Sequence, residues 1–215
     1  MVKLVEGAEE CRKASDIIQK LVDDNPTNTG YQLDLANLQT NIGWVLDRQK
    51  RWPDAFTALE RALVLRQKLA KAVPNNAVNN RGLGEIHTVR GGARARAGQP
   101  AEAAADLRKA LELYAKDPHL PNDFQVERSR ALALLAGLGA DAKSGVTKEE
   151  AKAFADQSVS ALAAVVKTGW ALPSELKEPD FDALRGRADF QKLVAEVQAK
   201  AEKSPATAPR RGEKK

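Results

Sequence analysis

Cysteine, methionine and histidine are nearly missing from this chain. Its 215 residues hold one Cys, one Met and two His. A disulfide scaffold needs paired cysteines, and Cys11 stands alone. A zinc module needs about four ligands, but the whole Cys/His inventory is Cys11, His87 and His119. No metal and no cofactor is therefore expected. Aromatic residues make up only 5%. The longest near-continuous apolar run, Ala131 to Ala140, reaches about half a membrane span. No stretch alternates with period two, so no sheet is expected.

Charge of one sign is also scarce. There are 34 Lys+Arg against 29 Asp+Glu, a net of +5. The tail carries Lys203, Arg210, Arg211, Lys214 and Lys215 against Glu213. That leaves the rest of the chain near neutrality. Two prolines and no apolar period make residues 203–215 a disordered basic tail. Such a tail either binds a polyanion through counterion release or simply solubilises the chain. The first dozen residues carry acids and lack a long apolar core, unlike a secretory signal, so a cytoplasmic location is expected.

What the chain does have is a repeat. One constant shift of the sequence against itself lays Pro26 on Pro74, Asn28 on Asn76 and Leu21 on Leu69. Gly43, Gly91 and Gly139 then fall on one line, as do Ala55, Ala103 and Ala151. Residues 55–68 and 103–116 share six identities in fourteen positions. Each unit reads as two antiparallel helices. Leu35, Leu38, Ile42 and Leu46 recur at spacings of three and four, an amphipathic helical face. Ala55, Ala58, Leu59, Ala62, Leu65 and Leu69 mark the helix that follows. Pro53 suits a first helical turn, where its missing N–H is unpaired anyway. Thr147 with Glu150 is a capping-box pattern. The expected organisation is a helical domain over 1–202, with units at about 1–25 (partial), 28–74, 76–118 and 121–168 and a cap at 171–202. Glycine inside a helix costs up to about 1 kcal/mol against alanine. Three at equivalent positions imply close helix approach, received by Ala55 and Ala103, with Leu59 and Leu107 filling the wedge.

These residues resemble the tetratricopeptide pattern: Ile42-Gly43, Trp52 in the turn, then Ala55, Leu59 and Ala62, repeated as Gly91, Gly98, Ala103, Leu107 and Ala110. Leu138-Gly139, Ser158, Leu162 and Val165 carry a weaker third copy. Residues 1–25 look like the second helix of a unit lacking its first, with Cys11 and Ala14 at matching positions. The resemblance implies an all-α, right-handed α-α solenoid of about three helix pairs with C-terminal capping helices. The stretch LKEPDFDALRGRADFQKLV, Leu176 to Val194, further resembles the segment closing the repeat region of bacterial, planctomycete-type serine/threonine protein kinases. Asp180, Phe181, Leu184, Arg185, Arg187, Asp189, Phe190 and Leu193 carry that likeness. It concerns the non-catalytic part of those proteins. Kinase motifs are absent here: the three Asp-Phe pairs are followed by Gln125, Asp182 and Gln191, never by Gly, and neither His precedes Arg-Asp. No phosphate loop occurs.

The first helices of such a solenoid line its concave side, which takes a peptide. By the repeat, the inward set is Asn37, Thr40, Trp44 and Arg48 in unit one, and Glu85, Thr88 and Arg96 in unit two. A solvent-facing indole makes Trp44 the leading contact candidate, the alternative being packing on a neighbouring helix. Trp52 and Trp170 read as packing residues. His87, Arg90 and Arg94 form one ridge. They read either as an anion-binding patch or as cations paired internally with Glu85 or Asp106. Arg185 and Arg187 with Asp180 and Asp189 read as a closing-cap network. The expected function is a non-catalytic scaffold binding a protein or peptide partner on the concave face. Two alternatives stand beside it: the scaffolding tail of a serine/threonine kinase, and nucleic-acid binding through Arg81, Arg90, Arg94, Arg96 and the tail. An incomplete N-terminal unit also invites a homodimer.

Overall fold

Asn28 and Asn76 start equivalent helices in the same way. Asn28 Oδ1 accepts from the backbone N–H of Gly30 at 2.9 Å, and Asn76 Oδ1 from that of Asn79 at 2.9 Å. Each satisfies a donor that a helix start leaves unpaired. The computed structural model describes residues 2–74, 76–170, 172 and 174–203, with side chains between residues 13 and 201. Within them the helices are α1 (Val2–Asp24), α2 (Thr29–Arg48), α3 (Trp52–Ala72), α4 (Ala77–Arg96), α5 (Pro100–Tyr114), α6 (Asn122–Leu138), α7 (Lys148–Lys167) and α8 (Ala188–Lys203). Short 3-10 segments lie at Ala142–Ser144, Glu175–Lys177 and Pro179–Leu184. No strand occurs among the described residues. The expectation for 203–215 falls outside them, apart from Lys203 at the end of α8, and so does the Cys11 side chain.

The α2–α3, α4–α5 and α6–α7 pairs stack into a tetratricopeptide-like all-α solenoid. Successive first helices touch, α2 with α4 and α4 with α6, while successive second helices are splayed apart. That asymmetry curves the stack and puts α2, α4 and α6 on its inner face.

The mid-helix glycines have a specific reason. A Cβ on Gly43 would lie 2.5 Å from Leu59 Cγ, and one on Gly91 2.7 Å from Leu107 Cγ. Both leucines are fully buried. The nearest approach is made by these leucine side chains, seated directly on the glycines, and at Gly91 the Ala103 backbone carbonyl comes close as well, 3.3 Å from such a Cβ. Gly139, expected inside its helix as well, is instead the C-cap of α6, where an added Cβ would lie 2.3 Å from Ala151 Cβ. The turns repeat as well: Lys50 (φ 61) and Gly98 (φ 77) share the left-handed conformation at equivalent positions of successive units. Thr147 and Glu150 form the expected capping box at the start of α7.

Beyond α7 the chain folds back. Leu172, Leu176, Phe181, Leu184 and Phe190 are buried with Leu162, Val165 and Val166 of α7 in one apolar cluster. Phe181 and Phe190 rings stack at 6.2 Å. Trp170, expected to pin this closure, is instead 40% exposed, and the buried Leu172 and Leu176 take its place. The 3-10 segment Pro179–Leu184 lies against α6 and so reaches the inner face.

Candidate functional site

The inner face of α2 is a stripe three and four residues apart. Asp34, Asn37 and Asn41 are exposed, and Trp44 and Arg48 are half-buried. Thr40 does not belong to it. It is 4% exposed and its hydroxyl donates to Ala36 O at 2.8 Å. Its repeat equivalent Thr88 is fully buried between Gly84 O and the Tyr114 hydroxyl. One residue is about 100° of helix turn, which moves the stripe from Thr40 to Asn41.

Trp44 does two things. Part of its indole packs on the Leu59, Leu63, Leu83 and Ile86 cluster. The Arg48 guanidinium covers it, 5.3 Å from the ring centroid. Asn37 accepts a hydrogen bond from Arg66, which reaches in from α3 past Gly82. Burial lowers the pKa of that guanidinium, and the charge of Glu85 opposes the shift.

Arg48 and Arg96 are equivalent in the repeat, and both converge on Asp180 in the closing 3-10 segment. Arg48 Nη2 lies 2.6 Å from Asp180 Oδ2, and Arg96 Nη1 2.7 Å from Oδ1. Arg130 of α6 brings its Nε to 3.4 Å of the same carboxylate. Arg96 also donates to Asp47 Oδ1 at 3.1 Å, Arg48 pairs with Glu178 at 3.1 Å, and Arg130 with Glu127 at 3.5 Å. Asp180 is 3% exposed and Asp47 1%. Burial alone would raise the Asp180 pKa, but the charges of Arg130, Arg48 and Arg96 outweigh it and hold the carboxyl below its ordinary range. Asp180 is thus tied to the three inner helices and not to Arg185 or Arg187. Arg185 pairs with Asp182, and Arg187 with Asp189 and Asp156.

His87, Arg90 and Arg94 gather on Asp106 of α5. His87 Nδ1 stands 2.8 Å from Oδ1, Arg90 Nε 2.9 Å from Oδ2, and Arg94 Nη1 2.7 Å from Oδ2. Burial pushes the Asp106 pKa up, but the hydrogen bonds from His87 and Arg90 and the guanidinium charges bring it below the ordinary value. Arg90 reaches Glu60 at 3.0 Å as well. Arg81 pairs with Asp117 at 2.6 Å. Each arginine named for polyanion binding on the helices therefore sits on a carboxylate.

Sequence reasoning missed Asp180, Asp47 and Arg130 as partners of the arginine row. One signal was available: Arg48 and Arg96 sit at one repeat position, so both want an acid at the same level of the stack.

The α2–α3 pair decides the likeness. Residues 35–73 match the tetratricopeptide repeat family model. The match runs from Leu35 in α2 to Val73 after α3 and supports a tetratricopeptide-repeat protein. Repeats of this kind mediate binding to protein partners, so the chain reads as a protein-interaction scaffold. Comparison with curated proteins gave no match. Among the described residues, no helix is long and apolar enough to cross a membrane. No group of three or more His, Cys, Asp or Glu among them could hold a metal ion.

Proposed function

We propose that this protein is a non-catalytic scaffold that takes a protein or peptide segment along the open, N-terminal half of its concave face. Arg48 and Arg96 line the closed half, where their charges are neutralised by Asp180, Asp47 and Glu178. The open half offers amides and an indole instead: Asn37, Asn41 and Trp44 on α2. On α4 it offers the half-buried Glu85, whose charge acts on Arg66. Side-chain amides suit the N–H and C=O groups of an extended peptide, and a part-covered indole suits an apolar side chain of the partner. The observation that carries this reading is the Asp34–Asn37–Asn41 stripe on an inner helix, exposed and continued by the half-buried Trp44. A photo-cross-linking residue at position 41, compared with one at the exposed outer position Val64, tests it. Cross-linking of a bound partner at 41 and not at 64 is the expected result. Cross-linking at 64 alone would move the partner to the outer face.

A further inference from the structure

α5 stops at Tyr114, while α7 runs on. Arg108 of α5 reaches Glu150 near the start of α7 at 3.0 Å, so the second half of α7 passes beyond the end of α5. A cleft of about 630 Å³ lies there, between the first half of α6 and the second half of α7. Leu120, Ala161, Ala164 and Val165 give it an apolar floor, and Arg128, Gln157 and Ser160 are among its polar groups.

The other arginines supply the comparison. Arg48, Arg96 and Arg130 share Asp180, Arg90 and Arg94 share Asp106, and Arg81 holds Asp117. Arg128 is half-buried and holds nothing among the described residues. Asp156 lines the same cleft, but its carboxylate is taken by Arg187 at 2.6 Å. One guanidinium is thus left over among the charges that line the cleft. A half-buried charge without a counter-charge is costly, and an anion from outside relieves that cost. Gln157 and Ser160 are exposed, and their side chains make no hydrogen bond among the described residues.

These groups choose the ligand. A planar guanidinium matches one carboxylate in a two-pronged pair. The amide and the hydroxyl can donate to the same oxygens. A phosphate dianion calls for more than one cation, and one is free here. From Asp156 to Thr168 the wall is about 18 Å of helix, long enough for about five residues of extended chain. We propose that the α6–α7 cleft binds an acidic peptide segment of a partner protein. The carboxylate of a glutamate or aspartate sits on Arg128, and an aliphatic neighbour sits on Ala161 and Ala164. The site shares no residue with the concave face, so each reading stands or falls alone.

Titration of the isotope-labelled full chain with capped five-residue peptides, followed by nuclear magnetic resonance, tests it. One probe has a central glutamate among leucine and alanine, a second has glutamine in its place, and inorganic phosphate is the third. The glutamate peptide is expected to saturate and to shift the amide signals of Gln157 and Ser160. The glutamine peptide is expected to bind about tenfold more weakly. Arg128→Gln should remove the preference for glutamate at unchanged circular dichroism, because Arg128 holds nothing in the fold. Arg61→Gln, at an exposed arginine of α3, should leave the preference intact. No saturable shift at Gln157 and Ser160 with about 10 mM peptide would overturn the proposal. Equal binding of the two peptides, or a glutamate preference that survives Arg128→Gln, would overturn it as well. Phosphate binding more tightly than the glutamate peptide would overturn the peptide assignment in favour of a free anion.

Discussion

Arg48 and Asp180 lie 132 residues apart in sequence and form a two-pronged ion pair, Nη2 to Oδ2 at 2.6 Å and Nη1 to Oδ1 at 3.4 Å. The pair ties the closing segment to the first complete repeat, and Arg96 and Arg130 extend the tie to the second and third. Asp180 thus reads all three inner helices at once. A buried ion pair is weak evidence of net stability, because desolvation offsets much of the attraction. Removing one partner is another matter, since it strands the other charge.

Asp180→Asn keeps the shape and removes the charge that faces three guanidiniums. It is expected to lower unfolding stability by about 3–5 kcal/mol. Urea denaturation checks this through a lower midpoint at an unchanged slope. A loss well under about 1 kcal/mol would mean that the arginines find water instead.

Acid should act through the same carboxylates. Asp180 and Asp106 both titrate below the ordinary aspartate value when folded. A depressed folded pKa contributes stability that is complete above the unfolded value, about 3.9, and is lost as pH falls from there through the folded pKa. Stability is therefore expected to drop below about pH 4, and Asp180→Asn should flatten that drop. Parallel acid curves for the two proteins would contradict the assignment.

Lys50 carries a left-handed backbone that Gly98 carries at the equivalent turn. A side chain in that conformation costs about 1–2 kcal/mol, which glycine avoids. Lys50→Gly should stabilise the protein by roughly 1 kcal/mol, the unfolded-chain entropy of glycine reducing the gain. Gly98→Ala should destabilise it. Thermal unfolding of the pair reads the signs directly.

Alanine at Gly43 should be costly and at Gly137 harmless. At 43 the new Cβ meets Leu59 Cγ at 2.5 Å, and Leu59 is fully buried. Overpacking of that kind costs about 1–3 kcal/mol. At 137 the nearest atom is Ala183 Cβ at 3.5 Å, so the helix propensity of alanine should prevail. Equal effects at both positions would remove the seat assigned to Leu59.

The helices were readable because their signals are local. Spacings of three and four, Asn28 and Asn76 at the starts, Pro53 and Pro100 in the first turns and the Thr147–Glu150 box each act within a few residues. The Gly43–Leu59 and Gly91–Leu107 seats were half readable: the period placed the residues, but not which side chain meets which backbone. Asp180 was not readable as the anchor of the arginine row. Its partners lie 132 and 84 residues away, and the nearby Arg185 and Arg187 offered closer pairings. Thr40 and Asn41 differ by one helical position, which decides burial and which the repeat period alone does not fix.

The concave face is the centre of this account, and Trp44 is its most exposed commitment. The direct measurement is capture of a partner at physiological salt by wild type, Trp44→Ala and Arg128→Gln, with helicity of each followed by circular dichroism. The account predicts a protein held by wild type and by Arg128→Gln and lost by a fully helical Trp44→Ala. Equal retention by Trp44→Ala would contradict it and return the indole to a packing role alone.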